Sequence, residues 1–139
     1  MIEQKNIEQV LQETGFVISS FRGTSMNPML KQETDRVLIV PPTFPMKLYE
    51  VPLYRRGNVY VLHRIIAVAE TGEYVIRGDN CIEKEYGIQD DAIVCVLSGF
   101  WRGKEFVSCT EELNRRYAVK ARRTLLWRKA KGIIRRILP

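Results

Sequence analysis

Apolar and polar positions follow one rhythm through most of the chain and another near its end. Between residues 16 and 108 the apolar residues come in short runs broken by Gly, Pro, Asn and Asp. Phe16-Val-Ile-Ser-Ser-Phe21 and Arg36-Val-Leu-Ile-Val40 have the β-branched and aromatic content of strands, and Pro41-Pro42 stops the second. Residues 43–49 predict a loop, and residues 51–55 an edge strand, because Pro52 has no N–H to give to a ladder. Residues 59–68 and 73–77 predict a hairpin turning at Thr71-Gly72, and residues 91–101 and 105–108 a second hairpin around Gly103. Ahead of these, Ile2, Ile7, Val10 and Leu11 followed by Gly15 predict a short amphipathic helix over residues 2–14. Beyond Cys109 the period lengthens. Leu113, Tyr117, Leu125, Leu126, Ala130, Ile133, Ile134 and Ile137 recur at roughly helical spacing between Arg and Lys, so the tail predicts one basic amphipathic helix or two short ones. The expected fold class is mostly β: a small coiled β-domain over residues 1–109 with an N-terminal helix, then a basic helical tail over residues 110–139.

A chain of 139 residues, 45% hydrophobic and 27% charged, suits one globular domain with its own core. The net charge of +6 is unevenly spread: residues 1–111 hold 12 Lys and Arg against 15 Asp and Glu, whereas residues 112–139 hold 10 basic residues and one acid. The basicity belongs to the tail. Cys81, Cys95 and Cys109 are odd in number and widely spaced, which matches neither a zinc ligand pattern nor a disulfide framework. Reduced thiols, no metal or cofactor, and a cytoplasmic setting are expected. Residues 1–15 have no apolar h-region, and no apolar run approaches the ~20 residues that cross a bilayer, so no spanning segment is expected.

His63 is the only histidine and the natural candidate for a base near neutral pH. A lone histidine on a strand is more often a hydrogen-bonded or surface residue than a catalyst, so other residues must support it. Ser25 sits in Gly23-Thr-Ser-Met-Asn-Pro28, a turn between two strands, where Gly23 lets backbone come close and the turn holds the hydroxyl out of the ladder. An ordinary turn would read the same way. Gly78-Asp79-Asn80 ends the strand that returns from His63, so the hairpin can bring Asp79 near the imidazole, to orient it and stabilise its charged form. An Asp-Asn turn bonded to its own backbone is the alternative.

Gly23-Thr-Ser-Met-Asn-Pro-Met-Leu30, Tyr60-Val-Leu-His-Arg-Ile-Ile66 and Tyr74-Val-Ile-Arg-Gly-Asp-Asn80, in this order and spacing, resemble the S24/S26 serine peptidase superfamily, most closely signal peptidase I of the archaeal and endoplasmic-reticulum type. The resemblance covers the middle of the chain and implies the coiled β-fold of that superfamily. It also implies a serine endopeptidase with Ser25 as nucleophile, His63 as base and Asp79 as acid, with Gly23, Thr24 and Met26 of the nucleophile turn facing the substrate. The position corresponding to a second acid of the longer family pattern is Glu85. Family signal peptidases carry an N-terminal membrane anchor and many have a hydroxyl two residues before the nucleophile; here Gly23 stands there, leaving the oxyanion to backbone amides. The expected partner is a signal or leader peptide with small side chains before the cut. A non-catalytic peptide-binding or regulatory module of the same fold is the alternative.

The tail has three readings. It is a solvated helix packed on the domain, a helix lying on an anionic membrane, or a phosphate-binding surface. Large apolar residues among its cations favour the membrane surface over nucleic acid, since they add nothing to phosphate contact.

Overall fold

The first helix ends where its glycine stop predicts: α1 (Ile7–Thr14) closes as Gly15 takes φ 81° and returns its N–H to the Leu11 carbonyl at 2.8 Å. The computed structural model describes residues 7–137, so the start of the helix predicted over residues 2–14 lies outside the described residues. The chain then forms β1 (Val17–Ser19), β2 (Asp35–Val40), β3 (Pro52–Arg56), β4 (Val59–Leu62), β5 (Arg64–Val68), β6 (Tyr74–Arg77), β7 (Glu85–Ile88), β8 (Ile93–Arg102) and β9 (Glu105–Ser108), and ends in α2 (Glu111–Ile137). The fold is mostly β, with a short N-terminal helix, a curled sheet and a C-terminal helix.

All strand pairings are antiparallel and divide into two sheets. The larger runs β1-β2-β8-β3-β4, with β9 also paired to the long β8; the smaller runs β5-β6-β7. Bulges between Leu38 and Ile39 and between Leu53 and Tyr54 bend the larger sheet about β8.

Two expectations change. The segment with Pro52 is not an edge: β3 lies between β8 and β4, because Pro52 is the first residue of the strand, where its missing N–H interrupts no interior rung. The predicted strand over residues 59–68 is also two strands. It breaks at His63, where the chain leaves the larger sheet as β4 and enters the smaller one as β5. The hairpin of β5 and β6 and that of β8 and β9 stand as predicted, while β7 carries too little alternation to show in the sequence.

One core cluster, with Ile7, Phe21, Met29, Val37, Leu53 and Phe100, lies under α1 and the larger sheet. A second, with Met46, Tyr54, Ile65, Tyr74, Ile76 and Ile93, lies between the sheets. Phe100 belongs to the core, and Trp101 is half-buried against the Phe106 ring.

The tail is a single helix. Thr110 caps it by accepting the Leu113 N–H through Oγ1 at 3.1 Å. Asn114, Ala118, Ala121 and Leu125, which share one face, are buried, and the small side chains let the helix come close to the β-domain. The boundary at Cys109 therefore marks a change of secondary structure, and the first half of α2 is packed as part of the fold. Past Leu125 the apolar residues Leu126, Trp127, Ile133, Ile134 and Ile137 are exposed. Among the described residues no helix is long and apolar enough to cross a membrane.

The packed half of α2 is held by Arg64, the largest fully buried side chain. Its guanidinium donates to both Asp79 carboxylate oxygens at 2.8 Å, to the Tyr49 carbonyl at 2.9 Å, and to the main-chain carbonyl and side-chain oxygen of Asn114 at 3.2 and 3.1 Å. Removing one charge of a buried pair strands the other, at a cost of roughly 3–5 kcal/mol. Asp79→Asn is expected to lower unfolding stability by about that much in urea titration. Lys47→Ala, which breaks the exposed pair with Glu111, should change it by less than ~1 kcal/mol. Equal effects from the two substitutions would show that Arg64 does not hold the fold as described.

Candidate active site

Ser25 lies in the turn between β1 and β2, over residues 23–29. Gly23 there has φ 98°, a conformation that favours glycine, and its N–H is held by Gln32 Oε1 at 2.7 Å. The turn is fastened to the loop after β6: Asn80 donates its main-chain N–H to the Ser25 carbonyl at 2.8 Å and its side-chain amide to the Thr24 carbonyl at 3.1 Å. The nucleophile turn and the Gly78-Asp79-Asn80 loop, 53 residues apart in sequence by the Met26–Asp79 contact, are thus bonded neighbours.

His63 meets them at Gly78. A Cβ on Gly78 would stand 2.7 Å from the Ser25 carbonyl oxygen, 2.7 Å from Cys81 Sγ and 3.0 Å from His63 Nε2. Only a residue without a side chain lets these groups converge. The Ser25 hydroxyl makes no hydrogen bond among the described residues, to His63 or to any other group, and neither do the Ser25 and Met26 amides. The imidazole nitrogen and the main chain of the Ser25 turn thus meet at one point, and the Ser25 hydroxyl and the two amides of that turn have no partner among the described residues.

The surroundings of His63 define its chemistry. The residue is buried, and burial, with the Arg56 cation adding to it, lowers its pKa to about 4. At neutral pH it is an uncharged imidazole with one free lone pair. Tyr54 Oη lies 3.5 Å from Nδ1 and donates its own proton to Glu85 Oε1 at 2.8 Å. Glu85 is also ion-paired with Arg56. Burial pushes the Tyr54 phenol up to about 12, so it stays protonated, and its oxygen presents a lone pair to Nδ1. That selects the tautomer with the proton on Nδ1 and the free lone pair on Nε2, toward Gly78 and the Ser25 turn.

Asp79 is close by, as the hairpin predicts, but its carboxylate does not serve His63. Both oxygens are taken by Arg64, because a fully buried guanidinium demands a bidentate partner. The acid behind the imidazole is Glu85, acting through Tyr54. Glu85 was open to notice from the resemblance stated above, whereas nothing around Tyr54 in the sequence marks it, since its position comes from the pairing of β3 with β4. Gly23 and Thr24 are exposed at the turn. Met26 differs from expectation: its side chain is buried in the core and its sulfur accepts the Asp79 N–H at 3.5 Å, so that side chain is not presented to a substrate. Cys81 is a half-buried free thiol, and its pKa is raised, mainly by burial, which leaves it un-ionised.

No family model matches this chain, and no curated protein or solved structure matches it.

The depressed pKa of His63 has a consequence for stability. Between the ordinary imidazole value of 6.5 and the folded value of about 4, the unfolded chain binds the proton more readily than the folded one. This contribution is therefore fully present above pH 6.5 and is lost as the pH falls toward 4. Denaturant midpoints should fall over that window for the wild type, and His63→Gln should remove most of that part of the slope. An unchanged slope in the variant would place the titration elsewhere.

Proposed function

We propose that this chain is a serine endopeptidase of the S24/S26 signal-peptidase type, with Ser25 as nucleophile and His63 as general base. The observation that carries this reading is the convergence of His63 Nε2 and the Ser25 turn on the bare backbone of Gly78. In the proposed cycle Nε2 takes the Ser25 hydroxyl proton as Oγ attacks a peptide carbonyl, and the oxyanion is met by the free Ser25 and Met26 amides. The imidazolium then passes that proton to the leaving amine. Water hydrolyses the acyl-enzyme with Nε2 again as base. The imidazolium is stabilised by Nδ1–H donating to Tyr54 Oη, whose proton is drawn toward Glu85. The substrate class is an extended signal or leader peptide.

The exposed half of α2 supports a place at a membrane surface. Leu126, Trp127, Ile133, Ile134 and Ile137 fall on one side of the helix, and Arg128, Lys131, Arg135 and Arg136 lie outside that stripe. This is the arrangement of a helix resting in the headgroup boundary of anionic lipid.

A fluorophosphonate probe should label the wild type and not Ser25→Ala. Its labelling rate should rise with pH through about 4, the His63 value, and level off by about pH 6. Equal labelling of both proteins would end the peptidase reading. For the membrane contact, vesicles containing phosphatidylserine should sediment the full chain, less at about 1 M salt, where the screening length is about 3 Å. Trp127→Ser/Ile133→Ser/Ile137→Ser should lose most of that binding. Full retention by this variant would assign the exposed stripe another role.

A further inference from the structure

The space over Gly78 is bounded by one group that the proposed reaction does not use. Cys81 Sγ stands 2.7 Å from the point where a Gly78 Cβ would be, as close as the Ser25 carbonyl oxygen, and His63 Nε2 stands 3.0 Å from it. The legs of 2.7 and 3.0 Å through that shared point keep Sγ and Nε2 within 5.7 Å of each other. The imidazole is only 9% exposed, and Nε2 has no hydrogen-bond partner among the described residues. The thiol is half-buried, belongs to no disulfide, and donates weakly to the Ser25 carbonyl at 4.0 Å. An unpartnered imidazole nitrogen beside a free thiol presents the two donor types that zinc and cadmium take most readily. No zinc spacing marks this pair in the sequence, because the β5–β6 hairpin brings Cys81 back to His63.

We infer that Cys81 and His63 form a binding site for a thiophilic divalent cation, zinc or cadmium, whose occupation blocks the base. The binding stands on this geometry alone, and its inhibitory effect rests on the peptidase reading above. A tetrahedral zinc with bonds of about 2.0 Å to nitrogen and about 2.3 Å to sulfur needs the two donors roughly 3.5 Å apart. Rotation of the Cys81 side chain between staggered positions covers the difference, which is about 2 Å at most. His63 is prepared as a ligand: Nδ1–H is turned to Tyr54 Oη, itself bonded to Glu85, and an outer partner of this kind fixes the tautomer and orientation of a metal-bound imidazole. As the sulfur bonds to the ion, the thiol proton leaves to solvent, so the site gains one net positive charge instead of two. Arg56 and Arg77, which act on this thiol, oppose the cation but favour the thiolate that binds it. No carboxylate is spare, since Asp79 is held by Arg64, and Glu85 by Tyr54 and Arg56. No group of three or more histidine, cysteine or acidic ligands occurs among the described residues, so water fills the other positions and the ion is exchangeable. An ion on Nε2 occupies the lone pair that takes the Ser25 proton.

The test titrates the full chain, reduced and then freed of reductant, with cadmium chloride and follows the cadmium–thiolate charge-transfer absorption. The absorption should rise to saturation at one ion per chain, for the wild type and for Ser25→Ala alike. Cys81→Ala should abolish it, and His63→Gln should weaken binding by roughly tenfold or more. Zinc chloride should slow fluorophosphonate labelling of the wild type by about tenfold or more, because a general base contributes about 10²–10⁴. A chelator should restore the rate. Cys81→Ala should label like the wild type without metal and be slowed far less by zinc. The inference fails if Cys81→Ala keeps the cadmium absorption, since the ion would then sit on Cys95 or Cys109. It also fails if His63→Gln binds cadmium as tightly as the wild type, or if zinc slows the wild type and Cys81→Ala equally. Failure of the peptidase reading shows instead as equal labelling of the wild type and Ser25→Ala without metal, on which the cadmium titration does not depend.

Discussion

A guanidinium group carried wholly out of water has to find partners for its N–H groups on the protein, and the elements that supply them are then fixed relative to one another. Arg64 meets this demand from four parts of the chain: the Asp79 loop, the Tyr49 carbonyl, Asn114 of α2, and Met29 at the end of the Ser25 turn, whose sulfur lies 3.3 Å from the guanidinium. The smaller sheet, the helix and both ends of the candidate site are therefore set by one side chain. Arg64 follows His63 directly, so the same constraint also fixes where the imidazole stands. Buried ion pairs often contribute little net stability compared with apolar packing. Here the gain is positional: the pair determines which loop faces which.

That arrangement separates two tasks that the motifs alone assign to one acid. Asp79 neutralises a structural cation, and Glu85 accepts the proton of Tyr54, whose oxygen stands beside His63 Nδ1. With a carboxylate directly on Nδ1, the imidazole would be drawn toward its charged form. With only a neutral phenol beside it, burial and then the Arg56 cation keep the ring uncharged near neutral pH. For the proposed reaction the cost is a weaker base, and the benefit is a base that is uncharged near neutral pH.

Much of this was legible in the sequence because it depends on local rules. The short apolar runs and turn residues marked the strands other than β7, with β4 and β5 read as one, Gly15 marked the end of α1, and the change of period after Cys109 marked α2. Ser25, His63 and Gly78-Asp79 could be singled out because unusual residues sit on turns and strand ends. What stayed hidden depends on pairing between distant strands. Pro52 looks like an edge residue until β8 and β4 are known to flank it, and Tyr54 looks like any core aromatic until its hydroxyl is seen between His63 and Glu85. The partner of Asp79 was hidden for a similar reason: Arg64 reads as an ordinary strand cation, and only the packing of α2 over it makes burial, and so a bidentate acid, necessary.

The chain crosses between its two sheets twice, through His63 alone on the way out and through Gln89 and the single turn Asp90–Ala92 on the way back. Any sliding of one sheet over the other is absorbed by the longer crossing, because the shorter has no slack. The imidazole therefore has the positional precision of the sheets themselves, not that of a loop. An extra residue at this joint would supply slack and, with side chains alternating from residue to residue along extended backbone, turn the ring away from Gly78. Transplanting this site to another framework would therefore require the joint between two sheets, with the guanidinium that locks it, in addition to the three short motifs.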